Sequence, residues 1–176
     1  MKVPEQFKIA LKALKLLHPE LLNIIGAQWC LESDFGRSDL AKKACNFSGL
    51  GYRDLAPFLH KNILERVGMY QYTGQDGDTK EYLKCYMPVD FAHVYLAFLR
   101  REVYNTPEIK VGELLQSPLA LLGWIADQGF CGWVPGVKRK DYQTDEDYQQ
   151  ATHAEYVRSV LECSLSTNYQ KLLREL

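Results

Sequence analysis

Apolar residues recur at three- and four-residue intervals near the start of the chain. Phe7, Leu11 and Leu14 fall on one side of a helical wheel, and Lys8 falls on the other. This spacing is typical of an amphipathic helix that buries one face and leaves a lysine-rich face in solvent. It predicts a helix over residues 4–17.

The next segment is apolar on every side. Pro19 suits a first helical turn, and the apolar side chains between residues 21 and 31 occupy all faces of the predicted helix. Such a helix must lie at the centre of the fold. Gly36 is the expected stop, and Ser38 is expected to cap a short helix that follows.

The pattern changes over residues 63–87, where aromatic and β-branched residues flank a cluster of turn formers at 74–78. This arrangement is typical of a β-hairpin. Helical periodicity then resumes, and it predicts a helix capped by Asp90 and another from residue 117 to about 129. A long helix is predicted from Thr144 to about residue 164, and the chain ends in further helical sequence. The expected class is α+β, mostly α.

Composition and charge narrow the range of partners. The 176 residues are 47% hydrophobic and 24% charged, which is typical of one globular domain spanning residues 1–176. The net charge of −1 provides no cationic field for nucleic acid. No apolar run is long enough to cross a membrane, and no signal peptide precedes the first helix, so synthesis in the cytoplasm is expected. A monomer is the simplest oligomeric state to expect.

Metal and thiol chemistry receive little support from the sequence. The four histidines lack paired ligand spacing, so no metal site or cofactor is expected. The five cysteines show no CxxC spacing and are expected to be reduced and mostly buried. Cys30 is close to Glu32 in sequence but points elsewhere on the helix, and no histidine is placed to activate it.

Glu32 is the strongest candidate for chemistry, because it stands near the end of the most apolar predicted helix. Burial raises the pKa of a carboxyl, and a protonated Glu can donate a proton to a glycosidic oxygen. Trp29 and Phe35 could form an apolar wall beside it. Periodicity alone leaves open a structural role, in which Glu32 pairs with Arg37 or Lys42 at an exposed helix end.

The segment 27–50 resembles the glucosaminidase-type peptidoglycan hydrolases, the family of bacterial autolysins and the flagellar cell-wall hydrolase. The matching residues are Ala27, Gln28, Leu31, Glu32, Ser33, Phe35, Gly36, Ser38, Leu40, Ala41, Lys42, Asn46, Phe47, Gly49 and Leu50. The resemblance implies a lysozyme-like helical lobe with a small hairpin lobe at about 63–87. It also implies cleavage of the β-1,4 glycan after N-acetylglucosamine, with Glu32 as general acid and peptidoglycan strands as the partner.

At the position of the second catalytic group, this sequence departs from the family pattern. Glycosidases usually pair the acid with a second carboxylate, but Gln71 stands where the family places one. Glu65 is the first substitute, and Asp76 and Asp78 are weaker ones because turn aspartates usually serve backbone geometry. Assistance by the substrate's N-acetyl oxygen would need no second carboxylate.

Several side chains are candidate sugar contacts, since sugar rings stack on aromatic faces. They are Phe35, Asn46, Tyr52, Tyr70, Tyr72, Tyr86 and Trp133. Asn46 could hold either backbone or sugar. The family's Gly-Tyr turn near the last long helix is replaced by Gly129-Phe130, and Tyr142 or Tyr148 could supply the missing hydroxyl.

Three alternatives remain open. A lytic transglycosylase also uses one Glu-Ser acid, although its usual Gly-Leu-Met-Gln element is replaced by Gly49-Leu50-Gly51-Tyr52. A muramidase would cut the other linkage of the same glycan, and a non-catalytic module would only bind it. An enzyme would act in the periplasm or cell wall after release or specialised secretion.

Overall fold

The computed structural model describes residues 2–56, 59–73, 77, 79–100, 117–127 and 137–176. Within them the chain is mostly helical with one two-stranded antiparallel sheet, which confirms the expected class. The helices are α1 (Glu5–Leu17), α2 (Leu22–Ser33), α3 (Asp39–Ala44), α4 (Tyr52–Leu55), α5 (Lys61–Leu64), α6 (Pro88–Arg100), α7 (Pro118–Asp127), α8 (Asp145–Leu165) and α9 (Thr167–Glu175). The strands are β1 (Val67–Thr73) and β2 (Thr79–Cys85), and 3-10 turns occupy Pro19–Leu21 and Arg139–Asp141.

Helix α2 is the central element, as its apolar sequence predicts. Every residue from Ile24 to Cys30 is buried. The Trp29 ring meets Phe91 and Tyr95 of α6 edge to face, with centroids 4.9 and 5.3 Å apart, an arrangement that aromatic quadrupoles favour. These contacts fix α6 on one side of α2.

Helix α8 covers another side of α2, and α9 closes the fold. Thr144 caps α8 as predicted, with its hydroxyl accepting a hydrogen bond from the Asp147 amide at 3.1 Å. The buried Tyr169 hydroxyl of α9 donates to the Leu22 carbonyl at the start of α2. The two C-terminal helices therefore hold the N- and C-terminal parts of the chain together.

The hairpin pairs Val67 with Cys85 and Thr73 with Thr79. It lies inside the predicted 63–87 segment, whose first residues belong to α5. Val67, Leu83 and Cys85 are buried on one face, as strand alternation requires.

The start of α6 differs from the prediction. The helix begins at Pro88, so Asp90 lies in its first turn rather than at its cap. Proline suits the first helical position because it has no amide hydrogen to leave unpaired. The Asp90 carboxylate is buried and forms an ion pair with Arg66, without hydrogen-bond geometry at either carboxylate oxygen.

Within the part of the chain that the structure describes, every helix is too short or too polar to span a membrane. No group of three or more His, Cys, Asp or Glu side chains in these ranges is arranged to hold a metal ion.

Candidate functional site

The turn after Glu32 is built by a short hydrogen-bonded sequence. The Ser33 hydroxyl donates to the Trp29 carbonyl at 2.5 Å and accepts from the Gly36 amide at 2.8 Å. Asp34 and Phe35 both adopt left-handed backbone angles, with φ of 50° and 54°. The helix therefore ends at Ser33 rather than running on to Gly36.

Gly36 is required at its position for two reasons. Its φ is +76°, and a Cβ there would lie 2.5 Å from the Phe7 Cβ. Any side chain would therefore clash with α1 and strain the backbone. The turn holds Glu32 at an open helix end, and Ser38 then caps α3 as predicted by accepting from the Ala41 amide at 3.2 Å.

Glu32 is in contact with solvent, but protein atoms also surround its carboxyl. The residue is exposed, yet burial of its carboxyl is the largest influence on it and raises its pKa above the usual 4.5. A hydrogen bond from the Tyr156 hydroxyl acts in the opposite direction. Water thus touches the side chain, but the protein atoms around it solvate the charge less well than water does, which favours the protonated acid.

A chain of buried side chains converges on Glu32 from two other helices. The Tyr95 hydroxyl donates to the Gln28 Oε1 at 2.5 Å. The Gln28 Nε2 donates to the Tyr156 hydroxyl at 2.7 Å. The Tyr156 hydroxyl lines the same hollow as Glu32, and hydrogen bonding between the two side chains lowers the pKa of the glutamate.

A small hollow opens beside this network. Its volume is about 20 Å³, measured as the space that the centre of a water molecule can occupy. It is lined by Gln28, Glu32, Ser48, Leu50, Tyr95, Phe98 and Tyr156. The Ser48 hydroxyl is buried and makes no hydrogen bond within the described structure.

Asn46 organises the segment that carries Ser48. Its amide nitrogen donates to the carbonyls of Leu50 and Leu83, each at 2.9 Å, and its oxygen accepts from the Leu50 amide at 3.0 Å. The side chain is 1% exposed. Of the two roles open for Asn46, the structure shows the backbone one and leaves no surface for a sugar.

A larger hollow lies against the hairpin. It has a volume of about 410 Å³ and is lined by Arg53, Gln71, Thr79, Lys80 and Glu81. Glu81 stands directly across the sheet from Gln71, and it binds Arg53 through contacts of 2.5 and 3.1 Å. The hairpin therefore does carry a carboxylate opposite Gln71, on the strand that sequence reasoning did not consider.

The structure does not bring Glu65 to either hollow. It caps the end of α5 at the base of the hairpin and is exposed. Asp76 and Asp78 lie outside the described residues. Among the described residues that line the small hollow, Glu32 is the one carboxylate.

The predicted sugar-contacting aromatics are dispersed. Tyr70 and Tyr72 are half-buried on the hairpin face opposite Val67, with the Tyr72 ring 6.1 Å from that of Tyr82. Tyr86 is 58% exposed, and Tyr52 is half-buried at the start of α4.

The remaining aromatic candidates are also separate from the hollows. Phe35 packs on the core, whereas Trp133 and Phe130 lie outside the described residues. Tyr142 and Tyr148 pair with each other, with ring centroids 5.9 Å apart, and neither lines a hollow. The hydroxyl expected near the acid comes from Tyr156 instead.

Cys30 does not serve as an alternative nucleophile here. Its thiol is buried, and that burial raises its pKa. A thiol with a raised pKa supplies little thiolate. Cys30, Cys45, Cys85 and Cys163 are free.

Sequence reasoning missed Gln28, Ser48, Tyr95 and Tyr156 as members of the site. Gln28 had a usable signal, because a residue four positions before Glu32 shares its helix face. The other three approach from distant parts of the chain.

Comparison of the chain with protein-family models, with curated proteins and with solved structures gave no match. The resemblance in residues 27–50 and the geometry around Glu32 are therefore the grounds on which a function can be proposed.

Proposed function

We propose that the protein is a peptidoglycan hydrolase that cleaves the β-1,4 glycan after N-acetylglucosamine, with Glu32 as the general acid. The helical part and the hairpin would correspond to the two lobes of a lysozyme-like fold. The proposal is supported by the motif in residues 27–50 and by the environment of its glutamate.

The observation that carries the proposal is that Glu32 is an exposed residue and yet has a carboxyl with a raised pKa. A general acid must hold its proton near the working pH and must also meet the substrate. Burial of the carboxyl among protein atoms would keep the proton on Glu32, and the position of Glu32 near the end of α2 would let the substrate reach it. The Tyr156 hydroxyl would stabilise the carboxylate that remains after the proton has left.

The chemistry would begin with proton transfer from Glu32 to the glycosidic oxygen as the bond from that oxygen to C1 breaks. Since Glu32 is the one carboxylate among the described residues at the small hollow, the developing positive charge at C1 would be met by the substrate's own N-acetyl oxygen. Substrate-assisted glycosidases use this route without a second protein nucleophile.

The larger hollow would bind the sugars. Its volume of about 410 Å³ lies within the range of about 300–1,000 Å³ that ligand pockets usually have. Arg53 and Glu81 offer charged groups that bind sugar hydroxyls. The 48–53 segment contributes to both hollows, because Ser48 lines the one beside Glu32 and Arg53 lines the larger one. A glycan bound along the hairpin would cross that segment.

The same single carboxylate also favours a second candidate, a lytic transglycosylase. In that reaction Glu32 would first protonate the glycosidic oxygen and then take the proton from a hydroxyl of the same sugar, so that a 1,6-anhydro ring forms and no water is consumed. The two candidates share the acid and differ in the nucleophile.

The test is digestion of purified peptidoglycan, followed by mass spectrometry of the new chain ends. Reducing N-acetylglucosamine is the expected product. Reducing N-acetylmuramic acid would replace the proposed linkage with that of a muramidase, and 1,6-anhydro ends would establish a transglycosylase. Binding without cleavage would overturn the catalytic proposal and leave a glycan-binding module.

A further inference from the structure

Among the described residues that line the small hollow, Ser48 is the one whose polar side chain makes no hydrogen bond. Its oxygen is buried and has no hydrogen-bond partner within the described structure. Leaving a buried hydroxyl unpaired costs about 1–3 kcal/mol, so such groups in folded proteins usually bind ordered water or a ligand. The Ser48 hydroxyl is therefore expected to bind a water molecule or a ligand.

The other polar groups at the hollow are already occupied. Gln28 uses its oxygen for Tyr95 and its nitrogen for Tyr156. Tyr156 accepts from Gln28 and donates to Glu32. A carboxylate has about four acceptor positions, so Glu32 retains capacity after that bond. Ser48 and Glu32 are thus the two groups at the hollow that keep the most hydrogen-bonding capacity for a small polar molecule.

The size of the hollow limits that molecule. A cavity needs about 10–15 Å³, in the same measure, to hold one water, and this one has about 20 Å³. It is too small for a sugar ring. Leu50 and Phe98 form apolar parts of its wall, so a bound water would be directed toward Ser48 and Glu32.

We propose that Ser48 and Glu32 bind one water molecule between them, and that this water completes hydrolysis of the glycan. This role in the reaction rests on the proposed function, whereas binding of the water does not. After Glu32 has given its proton to the leaving sugar, the water oxygen forms the new bond to C1 while the bond between C1 and the substrate's N-acetyl oxygen breaks. One water proton passes to the Glu32 carboxylate, which restores the acid. The net change is addition of one water across the broken glycosidic bond.

Binding of this water would determine whether the reaction that Glu32 starts ends in hydrolysis or in transglycosylation. Both reactions pass through the same first proton transfer. Water held by Ser48 favours hydrolysis, because it is already in place when the intermediate forms. Ser48 is then a positioning residue for the nucleophile, with no part in protonating the leaving group.

Two measurements test the inference, with Ser48→Ala as the variant and Ser159→Ala, on α8 and outside this hollow, as the matched control. The first is a crystal structure at a resolution that shows ordered water. A water bonded to both Ser48 Oγ and Glu32 is expected in the wild type and in the control, and it should be lost in Ser48→Ala. A wild-type hollow without that water would overturn the inference.

The second measurement is the partition of products when methanol competes with water during glycan cleavage. Ser48→Ala should shift the ratio of methyl glycoside to free reducing end about tenfold toward methanol, the factor expected when one hydrogen bond to the water is lost. An unchanged ratio would overturn the catalytic role of the water. If the wild type cleaves no glycan, the proposed function fails, while the crystal structure still decides whether the water site exists.

Discussion

The Tyr156 hydroxyl on α8 accepts a hydrogen bond of 2.7 Å from the Gln28 Nε2 on α2, and both residues line the hollow that Glu32 also lines. Hydrogen bonding between Tyr156 and Glu32 lowers the pKa of the glutamate. The bond favours ionised Glu32, whereas burial of the carboxyl favours the protonated form. Burial is the larger influence, and the pKa is raised.

Tyr156→Phe should therefore raise the pKa of Glu32 further. Activity that needs protonated Glu32 falls as the pH rises through this pKa, so the alkaline limb of the pH profile should move to higher pH. The maximal rate should drop about ten- to a hundredfold, as expected when a hydrogen bond to a developing charge is lost. Carboxyl-carbon NMR titration of Glu32 measures the pKa without reference to activity.

Tyr169→Phe is the matched control for that experiment, because it removes another buried hydroxyl that donates to the Leu22 carbonyl and does not touch Glu32. It should lower stability and leave the Glu32 titration unchanged. Equal titration shifts in the two variants would contradict the assigned hydrogen bond.

The raised pKa of Glu32 also has a consequence for stability. Between the usual glutamate pKa of 4.5 and the raised value, the folded protein holds this proton more tightly than the unfolded chain does. Its contribution to the free energy of unfolding therefore falls as the pH rises through that window. Glu32→Gln removes the titration and keeps an oxygen to accept from Tyr156.

Thermal unfolding of the wild type and Glu32→Gln across pH should reveal this difference. The two midpoints should agree most closely in acid, where both side chains are neutral, and the variant should become relatively more stable as the pH rises above 4.5. If the unfolding midpoint of the wild type instead rose relative to that of the variant as the pH increased, the raised pKa would be contradicted.

Two carboxylates near the hairpin should differ in their effect on catalysis. Glu81 lines the larger hollow and binds Arg53, so Glu81→Gln should raise KM about tenfold through loss of a charged substrate contact while kcat changes little. Glu65 lines neither hollow, and Glu65→Gln should leave both constants near those of the wild type. A fall in kcat of a hundredfold or more in Glu65→Gln would instead identify the second catalytic carboxylate of the sequence hypothesis.

Asn46 should matter for folding rather than for binding. Asn46→Ala removes three buried hydrogen bonds to the backbone of Leu50 and Leu83 and should lower the free energy of unfolding by about 2–4 kcal/mol. Asn23→Ala, at an exposed position of α2, should change it by no more than about 0.5 kcal/mol. Urea denaturation measures both, and similar values for the two variants would contradict the role of Asn46.

The sequence predicted the helical framework well because each helix carries a local signal. The spacing of apolar residues in α1 and the caps at Ser38 and Thr144 act within a few positions of the chain. The predicted start of α6 was wrong because Asp90 resembled a cap residue. The helix begins at Pro88, and Asp90 forms an ion pair with Arg66. That ion pair is a tertiary contact, which no local pattern reveals.

The site was predicted only in part, for the same physical reason. Glu32 was identifiable because it interrupts an apolar helix and belongs to a dense local motif. Its partners come from α6 and α8, and Gln28 meets Tyr156 across 128 positions of the chain. A buried glutamine and buried tyrosines must find hydrogen-bond partners, but only the packed helices determine which ones they find.

The most direct test of the central claim is the rate at which new reducing ends appear from purified peptidoglycan with wild type, Glu32→Gln and Glu20→Gln. Glu20 is a matched control, because it is an exposed glutamate just before α2 whose pKa is lowered by its hydrogen bond to His18. Glu32→Gln should reduce the rate about 10²- to 10⁴-fold, the usual contribution of a general acid, and Glu20→Gln should leave it unchanged. Cleavage by Glu32→Gln at the wild-type rate would contradict the assignment of Glu32 as the acid.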